Sequence, residues 1–290
     1  MILKEYQLEL KIFKSKNLLD TIGPDYNIHQ FHLPNYDRDY DVFLLESNNQ
    51  RLIVKKTYDC DEIDVYKLFE SVPNEFVPKL HFVEEMDKSY WIGLSYIENI
   101  KEDYTKENVE EVVKALAEFH NLYMDVNINT LGSWKKRSDL DKLHGQELTD
   151  DEIRLIKDSQ EILNQSSKTL IHNDMIPLNI IMSDQGVKFV DWELGKCGPY
   201  ILDLGRLLSD YNKEKPWINQ NYLDDALAAY FQTIELDISF SQFRKEFQCA
   251  RINNYLGIVR AFVIREWDKT DWYYQNVREL KRALEVFVDL

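Results

Sequence analysis

Residues Ile171 to Asp203 read IHNDMIPLNIIMSDQGVKFVDWELGKCGPYILD. Four polar side chains, His172, Asp174, Asn179 and Asp191, stand among apolar neighbours. Between Asn179 and Asp191 run an apolar stretch (Ile180-Ile181-Met182), a polar turn ending in glycine (Ser183-Asp184-Gln185-Gly186) and a second apolar stretch (Val187-Lys188-Phe189-Val190). This is the pattern of a β-hairpin. Counted back from the turn, Met182 stands opposite Val187 and Ile181 opposite Lys188, so Asn179 and Asp191 meet at the open end. An amide oxygen and a carboxylate converging there, with Asp174 just upstream, make an oxygen-rich site of the kind Mg²⁺ takes.

Asp, Asn and Asp around magnesium serve phosphoryl transfer in kinases. The full pattern is His172-x-Asp174, four residues, Asn179, the hairpin, Asp191-Trp192-Glu193, four residues, Gly198-Pro199, three residues, Asp203-Leu204. It resembles the aminoglycoside phosphotransferase and choline kinase superfamily, a branch of the protein-kinase-like fold. Family members often have Gly where Asn173 stands, and Gly or a polar residue in place of Leu178. Other readings fit less of the pattern. A bare turn with a strand-end cap at Asp191 leaves the spacing unexplained. A metallohydrolase built on His172 and Asp174 lacks clustered histidine ligands. His29 and His32 make at best half a zinc site.

The resemblance implies an α+β, bilobal protein-kinase-like fold. A small antiparallel β-sheet lobe with one helix would bind nucleotide (residues 1–97), and a larger, mostly helical lobe would carry catalysis and acceptor binding (residues 98–290). The chain has 290 residues, enough for two such lobes. Nearly half of them are hydrophobic and Gly and Pro are sparse, which marks a packed globular protein. No apolar run is long enough to span a bilayer, and charges interrupt MILKEYQLELKIFKSK, so it does not read as a signal peptide. Cys60, Cys197 and Cys249 are distant from one another and suggest a reducing, cytoplasmic setting. A net charge of −16 disfavours nucleic acid and anionic membranes as partners and suits a cationic small molecule.

Apolar runs and turn signals predict a meander over residues 26–58, with Ser47-Asn48-Asn49-Gln50 as one turn. A second strand pair is expected at Val77–Glu84 and Tyr90–Ile97, and a helix at Asp61–Ser71. Residues Tyr6, Leu8, Leu10 and Ile12 alternate like a strand, but their charged neighbours suit a helix as well. Leu52-Ile53-Val54-Lys55 resembles the strand that carries the family's ATP lysine. Lys55 would hold the α- and β-phosphates and Glu62 would hold Lys55. Lys56 competes, but the alternation places Ile53 and Lys55 on one face. Backbone groups of Ser95 to Ile97 would meet the adenine edge, with Ile53 above the base and Ile181 and Val190 below. The loop 34–40 has no glycine to let its backbone approach phosphate, and Asp37 and Asp39 would repel it unless turned outward.

From Thr105 onward helices dominate. Val109 to His120 is amphipathic, and His120 reads as a packed side chain. Residues 121–149 are polar and irregular, with Lys135-Lys136-Arg137 as a solvated turn. Thr149-Asp150-Asp151-Glu152 is a capping box. Helical stripes follow at Leu223–Phe231, in the region Phe243–Leu256, and in a last helix beginning near Asp271. Around Trp267, Asp268 and Asp271, indoles and carboxylates would suit an amine-bearing acceptor.

These residues assign roles for γ-phosphoryl transfer from ATP or GTP. Asp174 orients the acceptor hydroxyl and takes its proton. Asn179 and Asp191 would hold Mg²⁺, His172 would buttress the loop, and Asp203 resembles the family's structural aspartate. Glu193 would face metal or substrate. Three functions remain open: a resistance-type kinase of an aminoglycoside or other antibiotic, a metabolic kinase for choline, a sugar or an amino alcohol, and a non-catalytic nucleotide-binding regulator.

Overall fold

The computed structural model describes residues 2–6, 10–33, 38–58, 60–100, 104–128, 130–137, 140, 143, 147–209, 220–267 and 269–290. The chain forms two compact units. One holds Met1–Glu102 and Ile181–Leu194, the other Asp103–Ile180 and Gly195–Leu290.

The first unit is a six-stranded antiparallel sheet. Its strands are β1 (Ile2–Glu5), β2 (Asn27–Leu33), β3 (Arg38–Glu46), β4 (Arg51–Thr57), β5 (Leu80–Met86) and β6 (Ser89–Ser95), in the spatial order β1-β2-β3-β4-β6-β5. The ambiguous N-terminal stretch becomes β1, a single 3₁₀ turn at Lys11–Lys14, and helix α1 (Lys16–Ile22). Leu8 lies outside the described residues. Ser15 caps α1 by accepting the Leu18 N–H, and Gly23 at φ 89° ends it. Helix α1 brings Leu18 and Ile22 against Phe43, Leu45, Leu52 and Val54 to make the core of this unit. Helix α2 spans Asp61–Ser71, as its periodicity predicts.

The strand pair β5–β6 turns more tightly than expected. Asp87 and Lys88 take φ values of 52° and 65°, which suits a two-residue turn matched to the sheet's twist. Two further strand pairs follow in the chain: β7 (Lys168–Ile171) with β10 (Lys196–Pro199), and β8 (Ile180–Ser183) with β9 (Gly186–Phe189). The expected hairpin is therefore present, but its turn shrinks to Asp184-Gln185. Gly186, at φ 88°, opens the returning strand, and the Ser183 hydroxyl bridges the turn by donating to the Gly186 carbonyl at 2.8 Å.

A single cut after residue 97 does not describe the first unit. It takes in the β8–β9 hairpin because that hairpin is tied to it at several points. The Phe189 N–H donates to the Phe76 carbonyl at 2.7 Å, and the Ile100 N–H to the Met182 carbonyl at 2.9 Å. Lys188 donates to the Glu75 carbonyl, and Trp192 meets Phe69 edge-on.

The second unit holds α3 (Lys106–Tyr123), α4 (Asp150–Gln165), α5 (Ile201–Leu207), α6 (Leu223–Thr233), α7 (Phe240–Ile264) and α8 (Asp271–Val288), with β7 and β10. Thr149 and Glu152 form the capping box of α4, with both hydrogen bonds present. The stripe Val277, Leu280, Ala283, Leu284 and Phe287 of α8 is buried, as its spacing predicts. The segment 121–149 is less solvated than its polarity suggests. Leu131, Leu140, Leu143 and Leu148 are buried, although Leu122 is exposed. Arg137 is not part of a solvated turn: its N–H donates to Gln160 of α4, and its guanidinium approaches Gly257 of α7. No helix among the described residues is long and apolar enough to cross a membrane.

Helices α5 and α7 touch at Gly205, where an added Cβ would lie 2.4 Å from the Ala250 Cβ and 3.0 Å from its backbone. Two effects oppose each other here. Ala favours a helix by about 1 kcal/mol over Gly, but overpacking a rigid contact costs about 1–3 kcal/mol. Gly205→Ala is expected to destabilise the protein in urea melts. A gain in stability would contradict this packing.

Candidate active site

Alternation along β4 sets the first half of the site. Leu52 and Val54 are fully buried, whereas Ile53 and Lys55 on the other face are half-buried. The Lys55 ammonium donates to Glu62 Oε1 at 3.0 Å and also contacts Asp191 Oδ1. Glu193 lies 3.9 Å away. Lys56 instead faces Asp41 and the rings of Tyr58 and Trp91, so Lys55 alone takes the inner position. Glu62 is completely buried in the first turn of α2. Burial pulls the Lys55 ammonium down, yet Glu62 and Asp191 outweigh it and hold the lysine charged, above its ordinary value. Burial pushes Glu62 up to about 7 against the pull of Lys55, and Asp191 adds to the rise. One cation thus serves a cluster of carboxylates. Asp191 itself sits at φ 67°, a left-handed conformation uncommon outside glycine.

Ile53, Ile181 and Val190, expected against a base, are each half-buried within this unit, next to fully buried Leu52, Val54 and Phe189. Ser95 has less to offer a nucleotide than expected. Its N–H goes to the Lys79 carbonyl at 2.9 Å and its hydroxyl pairs with His81 at 2.8 Å. No hydrogen bond engages the Ile97 N–H among the described residues. Asp39 is turned onto the sheet, 2.7 Å from His32 Nδ1, and this contact holds its carboxyl below the usual range. Asp37 lies outside the described residues. His29 faces Glu46 rather than His32, and no group of three metal-ligating side chains occurs among the described residues.

The second unit carries the loop that follows β7. Asn173 stands at φ 63°, in the left-handed region that Gly and Asn visit at low cost. The buried Asp203 carboxylate accepts the N–H of His172 at 2.6 Å and of Asn173 at 2.8 Å. His120 lies 3.3 Å from Asp203 and 2.6 Å from the Tyr230 hydroxyl, so this packed histidine ties the loop's anchor to α3 and α6. His172 is fully buried, consistent with a supporting place rather than contact with an acceptor.

Asp174 Oδ1 receives two hydrogen bonds from Arg206, from Nη2 at 2.9 Å and Nε at 3.2 Å. Sequence reasoning passed over Arg206. Its signal is position: Asp203 and Arg206 are one turn apart on α5 and so share a face. Asn179 donates its Nδ2 to the Asp174 carbonyl at 2.9 Å. That bond fixes the amide and leaves its oxygen for another partner. In the first unit, the half-exposed Asp191 carboxylate is likewise a hard oxygen donor of the kind Mg²⁺ takes.

The proposed acceptor residues lie at the α7–α8 corner, about 15 Å along the α7 axis from Asn254, the α7 residue that touches Arg206. Trp267 and Trp272 are exposed, and both pack on Phe262. The Arg265 guanidinium lies over the Trp267 ring at 4.8 Å. Asp271 opens α8 and is exposed, and Asp268 lies outside the described residues.

The left-handed backbone at Asn173 sets a test. Asn173→Gly should leave stability within a few tenths of a kcal/mol of wild type, whereas Asn173→Val should cost about 1–2 kcal/mol. Urea midpoints that rank Val above Gly would contradict the assignment.

The profile of the phosphotransferase enzyme family matches residues 39–237, more than half of the chain. A spectinomycin phosphotransferase, solved with ADP and spectinomycin, shares 12% identity, with 97% of this chain and 98% of that chain covered and a TM-score of 0.62. An ethanolamine kinase from Plasmodium vivax shares 12%, over 93% of this chain and 86% of that one, with a TM-score of 0.62. A Protein LicA homolog from Mycoplasma capricolum is 26% identical over 141 residues, 48% of this chain. That match spans 57% of the relative's length. The structural similarities are those of fold: an antiparallel sheet unit and a helical unit, arranged along the chain as in protein-kinase-like enzymes. This chain belongs to the phosphotransferase enzyme family.

Proposed function

We propose that the protein is a Mg²⁺-dependent kinase that transfers the γ-phosphoryl group of ATP or GTP to a hydroxyl of an aminoglycoside-like or other antibiotic. The observation that carries this reading is the buried Lys55–Glu62 pair with Asp191 on the same ammonium. A lysine held charged and fixed in place is suited to the α- and β-phosphates. Asp191 and the free oxygen of Asn179 would take the magnesium, which would neutralise charge on the phosphates. Ile53, Ile181 and Val190 would enclose the base, with Ile97 offering a backbone N–H to its edge. Asp174 would orient the acceptor hydroxyl. As the hydroxyl oxygen bonds to the γ-phosphorus, the bond to the β,γ-bridging oxygen breaks, the diphosphate leaves, and the proton passes to Asp174. Asp203 and His172 would keep the loop in shape, and Glu193 would complete the ion cluster. Trp267, Asp268 and Asp271 would meet a cationic acceptor.

A second reading, a metabolic kinase for choline, a sugar or an amino alcohol, is favoured by one observation. Arg265 already covers a face of Trp267, so that indole has less to offer an acceptor's amine. A short amino alcohol does not need the α7–α8 corner.

A panel of antibiotics, amino alcohols and sugars, assayed for ADP or GDP release, separates the readings. Turnover with an aminoglycoside or another antibiotic is expected. Turnover with choline or ethanolamine alone would overturn the first reading in favour of the second. Tight MgATP binding without turnover of any acceptor would point to a regulator. Asp174→Asn is expected to lower turnover by about 100-fold or more while leaving nucleotide binding intact. Full activity in that variant would remove Asp174 from the role of base.

A further inference from the structure

The geometry points to Arg206 as a positioning residue that locks the Asp174 carboxylate in one orientation, with Asn254 holding the lock from α7. This rests on the reading of Asp174 as the base. Asp174 stands on a loop with about a third of its side chain exposed, where two side-chain torsions would otherwise be free. A proton acceptor must be held to about 0.5 Å and 10–20° to act well. Arg206 supplies that constraint. Its Nε and Nη2 both donate to Oδ1, at 3.2 Å and 2.9 Å. Among the described residues no hydrogen bond reaches Oδ2, so the second oxygen is the one presented to an incoming hydroxyl.

The guanidinium is itself fixed. Its Nη1 donates to Asn254 Oδ1 at 3.1 Å. Its backbone belongs to α5, packed against α7 through the Gly205–Ala250 approach. Helix α5 therefore holds the loop twice. Asp203 grips the backbone at His172 and Asn173, and Arg206, one turn on, grips the side chain of Asp174. A lysine can replace this grip only in part, because it lacks the planar pair of donors that converge on Oδ1 while a third reaches Asn254.

The test uses the full chain with MgATP and water as acceptor, reading kcat for ADP release and, separately, the Kd for MgATP. Arg206→Met should lower kcat by about 10- to 100-fold, since small misplacements of a catalytic group have effects of that size. MgATP affinity should stay within roughly twofold, because the loss falls on chemistry and not on ground-state binding. Arg206→Lys should recover only part of the rate, and millimolar guanidinium should restore activity to Arg206→Met. Asn254→Ala should lower kcat in the wild-type background and have no further effect in Arg206→Met, because it acts through the arginine. Thermal melts of each variant separate these effects from misfolding. Wild-type kcat in a folded Arg206→Met, with Asp174→Asn inactive, would overturn the positioning role alone. Full additivity of Asn254→Ala would overturn its part. A fully active Asp174→Asn would instead remove the base reading, and the positioning role with it.

Discussion

The ion cluster around Lys55 is the constraint on which the first unit depends. Glu62 is completely buried, and a buried carboxylate without a cation costs several kcal/mol. Lys55 supplies that cation, and Asp191 joins it from the segment that follows the β8–β9 hairpin. The sheet, α2 and the hairpin are thus tied together by charge as well as by packing. Burying Glu62 with Lys55 is not the most stable use of these positions, since well-packed apolar side chains often serve as well or better. The left-handed backbone at Asp191 is a second local cost at the same point.

The second unit solves a different problem. The loop after β7 lacks a regular hydrogen-bond ladder, yet its backbone and the Asp174 side chain are held in place. The solution is a short helix, α5, that supplies an acceptor for two loop N–H groups and a two-pronged donor for the carboxylate. Behind it, His120 and Tyr230 extend the anchoring to α3 and α6 through wholly buried hydrogen bonds. Removing one member of such a network leaves its partner unpaired, which is why its cost exceeds that of a single surface hydrogen bond.

Features set by local pattern were legible in the sequence. The α4 capping box, the stripe of α8, the hairpin between Asn179 and Asp191 and the Lys55 face of β4 all follow from spacing and turn chemistry. What escaped depends on distant contacts. Strands β7 and β10 are four residues each, and they pair across a long stretch of chain, so neither has a periodicity to read. Helix α1 is a seven-residue helix whose cap at Ser15 and glycine at Gly23 carry more signal than its apolar spacing. Arg137 looked solvated because its neighbours are charged, and only the packing of α4 and α7 draws it in. Arg206 was passed over because its partner lies upstream in a loop, and only the helical position of Asp203 links the two. Ser95 failed as a free donor because its N–H and hydroxyl meet residues from another strand and the segment preceding it.

The account stands on Lys55, Glu62 and Asp191 forming a magnesium-dependent triphosphate clamp. Calorimetric titration of the whole protein with ATP, with and without Mg²⁺, tests this most directly, with Asp191→Ala measured alongside. Saturable binding that requires Mg²⁺ and is lost in Asp191→Ala is the predicted result. Binding of equal strength in Asp191→Ala, or none to the wild-type protein with Mg²⁺ present, would contradict it.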